Sequence, residues 1–369
     1  MRYRIAIGGA TGNVGTEMLA ILAARAFPAA QVVALASARS VGQTVNYGDT
    51  RLVVGNLATH DFSQTDILFL STGGENSRKV SPLAAAAGCV VIDNSSAFRL
   101  HAEVPLVVPE VNAPDLAHWR ARCILPVANC STIQLAVALA PLHREATIRR
   151  VVVATYQSVS GGGKRQIARL RQEIEHARVQ DSTVSWPPGT VDDNTVPYAF
   201  NVIPHIDTFL DDGRTREEWK MEQELHKILD PSIRLSATCV RVPVMVGHAE
   251  AVNVEFVRGL DVESARRCLT HAPGIAVLDK PEPGGYATPL SSAGKDDVYV
   301  SRLRRDSTVP HGLNFWVVAD NIRKGAALNA VQIAETLIAR ADFGAHVAAR
   351  RNGELGTPAD SPLSNRSFS

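Results

Sequence analysis

The sequence predicts an α/β protein in two parts: a doubly wound parallel-sheet domain at the N-terminus, then an α+β domain built on a mixed sheet. Three observations carry this. Short β-rich runs alternate with helical stretches over the first third of the chain. A glycine-rich turn lies between the first run and the first helical stretch. Beyond Cys130 the strand-like runs follow one another with few crossovers of equal length.

Taken in order, 4–8, 31–36, 67–70 and 90–92 are short apolar runs that read as buried parallel strands, with helical patterns at 14–26 and 77–87. In the second part, 150–157, 234–242, 251–256, 299–303 and 314–318 are strand-like, and helices are expected near 164–178, 215–229 and 264–272. A final amphipathic helix at 326–340 is expected to pack back on the first domain. Domain bounds of 1–128 and 129–321 follow, with a C-terminal helix within 322–345 joining the first. Residues 346–369 read as a polar, disordered tail. The segment 181–201, containing Pro187-Pro188-Gly189, reads as a long irregular loop of functional or interfacial character.

Composition narrows the function. With 38 basic and 37 acidic side chains the net charge is +1, so bulk charge points to neither a nucleic acid nor a membrane surface. No signal peptide is evident, and no apolar run is long enough to span a bilayer. The five cysteines are odd in number and scattered without a CxxC pair. That pattern suits reduced thiols in the cytoplasm and argues against a disulfide framework or a metal site.

The first strand runs into Gly8-Gly9-Ala10-Thr11-Gly12-Asn13-Val14-Gly15 and then a helix. Gly9, Gly12 and Gly15 permit a tight turn, close backbone approach to a pyrophosphate and close helix–strand packing; Thr11, Asn13 and Val14 complete the loop. This is the Rossmann-type context for a dinucleotide. Its second strand ends in Ser37, Arg39 and Ser40 rather than in a carboxylate, which favours the 2′-phosphate of NADP over the free ribose hydroxyl of NAD.

Cys130 stands at a second expected helix start, in Ala128-Asn129-Cys130-Ser131-Thr132, followed by an apolar run. Free N–H groups and the positive end of the helix dipole favour a thiolate there, and the thiolate is the nucleophile. With a nicotinamide cofactor this points to aldehyde chemistry through a thioester. His248, after a glycine at the edge of a strand, is the candidate acid–base group. A small buried cysteine and a satisfied core histidine are the bland alternatives.

The segments GGATGNVG, SARS, NSSAFR, ANCSTIQ, YQSVSGGG, NVIPHID, EEWKMEQE, RVPVMVGHAE and WVVADNIRKGAALNAVQIAE, in this order, resemble the aspartate-semialdehyde dehydrogenase family from about Arg4 to Arg340. The resemblance implies that Cys130 is the acyl-thioester nucleophile, His248 the acid–base and Gln157 the residue orienting substrate near the thiol. It implies that Arg241 holds the substrate carboxylate and that Arg99, Asn129 and Lys220 bind phosphate. Glu217 would contact the substrate amine or orient Lys220, while Ser160, Gly161 and Asn321 would line the nicotinamide. It further implies NADPH-dependent reduction of aspartyl phosphate to the semialdehyde, serving lysine, threonine and methionine synthesis, in a homodimer. Apolar Trp186, Tyr198, Phe200 and Ile203 suit such an interface. Departures from the family pattern at Val127, Ala128, Gly162 and Ala249 remove no needed chemical group. Two rivals stand beside this reading. One is a reductase of N-acetyl-γ-glutamyl phosphate, which has no evident use for Glu217; the other is a nucleotide-binding homologue without catalysis.

Overall fold

The computed structural model describes residues 1–180, 183–187, 189–190 and 196–354. The chain divides into two compact units, one of Met1–Ala128 with the segment from Ala326 onward, the other of Asn129–Gly325.

The first unit opens with β1 (Tyr3–Gly8), α1 (Asn13–Ala24) and β2 (Ala29–Ala36), followed by β3 (Gly55–Asn56) and β4 (Ile67–Leu70). It continues with α2 (Gly74–Ala86), β5 (Val90–Asp93) and β6 (Ile124–Pro126). All pairings are parallel, and the sheet order is β3-β2-β1-β4-β5-β6. The order reverses beside β1, the place where such sheets bind dinucleotides. β4 and β5 are buried along their whole length, as strands covered on both faces must be. The short β3 and β6, and an antiparallel hairpin of Thr44–Tyr47 with Thr50–Val53, carry too little periodicity to be read from sequence.

The second unit begins with α3 (Cys130–Ala146) and β7 (Ile148–Gln157), then α4 (Lys164–His176), α5 (Arg216–Ile228), β8 (Arg234–Arg241) and β9 (His248–Phe256). After α6 (Val262–Thr270) come β10 (Ile275–Val277), β11 (Val298–Asp306) and β12 (Gly312–Ala319). The sheet is mixed, in the order β8-β7-β9-β12-β11-β10. β7 pairs parallel with β8 and antiparallel with β9, so Gln157 lies opposite both Arg241 and His248. Thirteen of the 17 residues of α3 are buried, which makes it the central helix of this unit.

Two expectations change. The C-terminal helix is not continuous: a π-helical turn at Arg323–Ala327 leads into α7 (Leu328–Ile338), and α8 (Ala341–Arg351) follows after a break at Arg340. The tail expected from 346 therefore begins as helix, because Phe343 and Val347 are buried against the unit; residues 355–369 lie outside the described residues. The segment 181–201 is not wholly irregular either. Thr183–Ser185 pairs with Arg178–Gln180, and Trp186 and Tyr198 pack against Val159, Leu170 and Ala199 instead of facing outward. Positions 181, 182, 188 and 191–195 of that segment lie outside the described residues.

Asp66 ties α8 to the sheet. Its buried carboxylate accepts from the Arg4 main chain at 2.7 Å and pairs with the guanidinium groups of Arg4, Arg350 and Arg351. Burial opposes its charge, but Arg351 and Arg4 outweigh that and hold its pKa below the ordinary aspartate value. A depressed folded pKa contributes stability that is complete above the unfolded value near pH 4 and is lost as pH falls through the folded one. Asp66→Asn should lower the unfolding free energy by about 3 kcal/mol at pH 7. Denaturant titrations at several pH values should show the gap closing as pH falls below the unfolded value near 4 and the native carboxylate takes up its proton.

Candidate functional site

In the first unit the functional geometry is set by the turn between β1 and α1. Gly9 has φ +85°, and a Cβ there would stand 2.2 Å from the Ser71 carbonyl oxygen. A Cβ on Gly15 would stand 2.2 Å from the Gly9 carbonyl oxygen. Only glycine fits either place, and the result is a bare backbone concavity at the N-terminus of α1, whose first turn carries no acidic side chain. Around the same sheet end, Asn13 Nδ2, Thr72 Oγ1 and both polar atoms of the Asn94 amide are buried without a hydrogen-bond partner. Such atoms suit a polar ligand; Asn94 opens the NSSAFR segment but has no role assigned from sequence, and nothing local marks Thr72. Ser37 and Arg39 are exposed beyond the end of β2 and Ser40 half-buried, with no acidic side chain in that turn. Arg99 is buried; its Nε donates to the Val127 carbonyl at 2.8 Å and its Nη2 to the Asn94 carbonyl at 3.1 Å.

The second unit places Cys130 as the first residue of α3. Asn129 is its N-cap: the Oδ1 atom accepts from the main-chain N–H groups of Ser131 at 3.0 Å and Thr132 at 3.5 Å. The Asn129 Nδ2 donates to Glu217 at 2.9 Å, and Gln157 Nε2 donates to the same Glu217 oxygen at 3.2 Å. The other oxygen of Glu217 pairs with Lys220 at 3.2 Å, and Lys220 also pairs with Asp207. Burial works against the charge on both members. Even so, Lys220, Asn129 and Gln157 hold Glu217 below the ordinary glutamate range, and Glu217 with Asp207 holds Lys220 above the ordinary lysine range. Asn129 and Lys220, which the resemblance puts at a phosphate site, are thus also the residues that build this chain.

Arg241 and His248 face each other across a glycine. A Cβ on Gly161 would come within 3.3 Å of Arg241 Nη1 and 3.4 Å of His248 Nε2, so both polar tips border the space Gly161 leaves free. Arg241 Nη1 donates to the Ser158 carbonyl at 2.6 Å. Burial lowers its pKa, against the charges of Cys130 and Glu217. His248 is fully buried, and burial followed by the Arg241 charge lowers its pKa to about 3. The imidazole is therefore neutral at physiological pH. The Ser158 main-chain N–H donates to Nδ1 at 3.1 Å, so the ring proton sits on Nε2, which has no hydrogen-bond partner. Asn321 Oδ1 accepts from Ser158 Oγ at 3.0 Å, Ser160 Oγ at 3.1 Å and the Gly247 N–H at 2.9 Å, fixing the turn that holds the histidine.

Two further residues touch this assembly without having been singled out in the sequence. Glu224 is buried on α5 and accepts from the Asn129 main-chain N–H at 2.6 Å. Its signal was available: Glu217, Met221, Glu224 and Ile228 share one stripe of the helix, so an acid lies among core positions. Gly325, in the π-helical turn, carried no such signal. A Cβ there would stand 2.8 Å from Cys130 Cβ, so its bare backbone packs directly on the cysteine.

Of the two partly exposed thiols, Cys268 stands inside α6 and Cys130 at a helix start. Cys89, Cys123 and Cys239 are buried, and burial pushes all three thiols up, Cys123 to about 11. Cys130 is partly exposed at a capped helix N-terminus. Among the described residues no cluster of His, Cys, Asp and Glu is arranged to hold a metal ion, and no helix is long and apolar enough to cross a membrane.

A dinucleotide-type sheet in one unit and a partly exposed cysteine at a capped helix start in the other are the two parts of an enzyme of the dehydrogenase class. A family model described as the NAD binding domain of semialdehyde dehydrogenase matches residues 4–119, and one described as its dimerisation domain matches 139–324. An aspartate-semialdehyde dehydrogenase of Legionella pneumophila is 48% identical over 335 residues, covering 90% of this chain and 95% of the relative. One of Aquifex aeolicus is 45% identical over 344 residues, covering 92% and 98%. A crystal structure of aspartate semialdehyde dehydrogenase II of Vibrio cholerae complexed with ASA is 44% identical, covers 92% of this chain and 99% of its own, and superposes with a TM-score of 0.86. The chain belongs to the aspartate-semialdehyde dehydrogenase family.

The packing of Gly325 on the cysteine is directly testable. Gly325→Ala should cost about 1–3 kcal/mol of stability, the usual range for an added methyl in a filled interior. It should also change the alkylation rate of Cys130 by iodoacetamide, followed by mass spectrometry. An unchanged rate would show that the turn does not set the position of the thiol.

Proposed function

We propose that the chain is an NADP-dependent, phosphorylating aspartate-semialdehyde dehydrogenase that reduces aspartyl phosphate to aspartate semialdehyde and phosphate, reversibly, through a thioester on Cys130. The observation that carries this reading is the partly exposed Cys130 at a capped helix start, linked through Asn129 to Glu217 and Gln157.

Each residue has a physical part. The helix N-terminus and the neighbouring Arg241 charge favour the thiolate of Cys130, which attacks the acyl carbon and expels phosphate. Gln157, held by Glu217, presents its amide beside the reacting centre. Arg241 offers a guanidinium fork to the substrate carboxylate, and Glu217 offers negative charge to the substrate amine. Arg99 and Lys220 supply cationic charge for the leaving phosphate, with Asn129 fixing the helix start. When bound, the dinucleotide supplies or accepts the hydride. At the thioester carbonyl, His248 donates its Nε2–H to the oxygen as negative charge gathers there. Breaking the C–S bond returns the electron pair to the Cys130 sulfur.

The residues present fit the dinucleotide. Gly9, Thr11, Gly12, Asn13, Val14 and Gly15 would cradle the pyrophosphate, with Thr72 and Asn94 as additional contacts, because their buried polar atoms lack partners. Ser37, Arg39 and Ser40 would read the 2′-phosphate, and Ser160, Gly161 and Asn321 would meet the nicotinamide. A homodimer through the second unit is supported by the dimerisation-domain match and by Phe200, Val202 and Phe209, which stand about 60% exposed. Unbridged cysteines support a reducing, cytoplasmic setting.

Reduction of NADP on joint addition of aspartate semialdehyde and inorganic phosphate tests the activity, and its absence with either alone shows that the reaction is phosphorylating. Cys130→Ser should abolish turnover while leaving NADP affinity nearly unchanged; substantial residual turnover would remove Cys130 from the mechanism. Arg39→Ala should raise the Michaelis constant for NADP by about one to two decades and leave that for NAD almost untouched, as expected for loss of one charge-assisted contact. Equal effects on both cofactors would show that Arg39 does not read the phosphate.

A further inference from the structure

We infer that Glu224 is a positioning residue for the Cys130 thiol. The inference rests on the reading of Cys130 as nucleophile and concerns what holds that residue in place. A helix start is fixed by its N-cap, and here the cap is Asn129, with φ −59° and ψ 142°. Its side-chain oxygen is occupied by the N–H groups of Ser131 and Thr132. Its side-chain nitrogen is held by Glu217. Its main-chain N–H lies outside the helix ladder and is satisfied by Glu224 at 2.6 Å, a short, charge-assisted contact.

The two acids are seven residues apart on α5, almost two full turns, and so share one face of that helix. Glu217 faces the substrate side through Gln157 and Lys220, while Glu224 is almost wholly buried on the stripe of Met221 and Ile228, with the charge of Lys227 acting on it from the same helix. A buried acid in an apolar stripe is costly unless it does something that a hydrophobe cannot. Here it grips the backbone one residue before the nucleophile. With Glu217 it holds Asn129 at both main chain and side chain. Loss of Glu224 would leave a buried N–H unpaired and free the cap to shift, and a displacement of about 1 Å at the reacting atom is enough to cost a hundredfold in rate.

Three variants of the full-length enzyme test this: Glu224→Ala, Glu224→Asp and Glu224→Gln. Two readouts are needed, kcat with the Michaelis constant for NADP, and the pH dependence of iodoacetamide alkylation at Cys130 resolved by mass spectrometry. Glu224→Ala should lower kcat about ten- to a hundredfold, leave the constant for NADP within twofold, and shift the alkylation profile. Glu224→Asp, which keeps the charge but withdraws the oxygen by one methylene, should show a smaller loss of the same kind and serves if the alanine variant does not fold. Glu224→Gln retains an acceptor of the same reach and should recover most of kcat and the alkylation profile. An unshifted profile in the alanine and aspartate variants, or a glutamine variant as impaired as alanine, would overturn the inference. The alkylation readout follows the thiol itself, so it separates failure of this inference from failure of the nucleophile assignment, which Cys130→Ser tests on its own.

Discussion

The cap on helix α3 is the interaction on which the second unit depends. Asn129 closes the free N–H groups of the first turn, and in doing so sets where the helix begins and where Cys130 emerges. Without a defined start the thiol would lie somewhere along a frayed turn, and the field of the helix end would have no fixed position relative to it. The cap is itself held by two carboxylates of α5. Gln157 and Lys220 are thereby tied through Glu217 and Asn129 to the helix start at Cys130 instead of by loop packing alone.

The sheet of this unit supplies the rest of the precision. Gln157 ends β7, Arg241 ends β8 and His248 begins β9, and strand pairing puts all three at one level. Strand register is strongly determined when the faces are buried, because a one-residue slip would turn every side chain to the opposite face. The parallel pairing of β7 with β8 and its antiparallel pairing with β9 gather the ends of two strands and the start of a third. Residues 84 and 91 positions apart in sequence from Gln157 thus become neighbours of it.

His248 illustrates how surroundings choose a protonation state. Burial and Arg241 remove the positive charge, and the Ser158 N–H claims Nδ1. What remains is a neutral ring with one donor on Nε2, suited to meeting an oxygen on which negative charge accumulates. A histidine seen only in sequence offers two nitrogens and a pKa near neutrality. The fold assigns each nitrogen its part. The bare backbone at Gly161, bordered by Nε2 and by Arg241, leaves the donor unobstructed.

The sequence by itself determined the glycine turn of β1–α1, the α/β alternation and the start of α3 at Cys130, and it placed Glu217 and Lys220 one helical turn apart. Each is set by contacts within a few residues, namely turn conformation, capping and side-chain spacing on one helix, so local composition suffices. The long-range facts were decided only in three dimensions. Thr72 carries no local mark, Trp186 and Tyr198 turned inward because a core formed beneath them, and the helix expected at 326–340 is followed by a further one, Ala341–Arg351, whose Phe343 and Val347 are buried. Glu224 and Gly325 matter through Asn129 and Cys130, 95 and 195 residues away in the chain. Helix spacing shows that Glu224 is buried but does not name its partner, and nothing local marks Gly325. Which backbone N–H an acid satisfies, and which side chain a bare glycine touches, depends on how distant elements pack, and no local pattern encodes that.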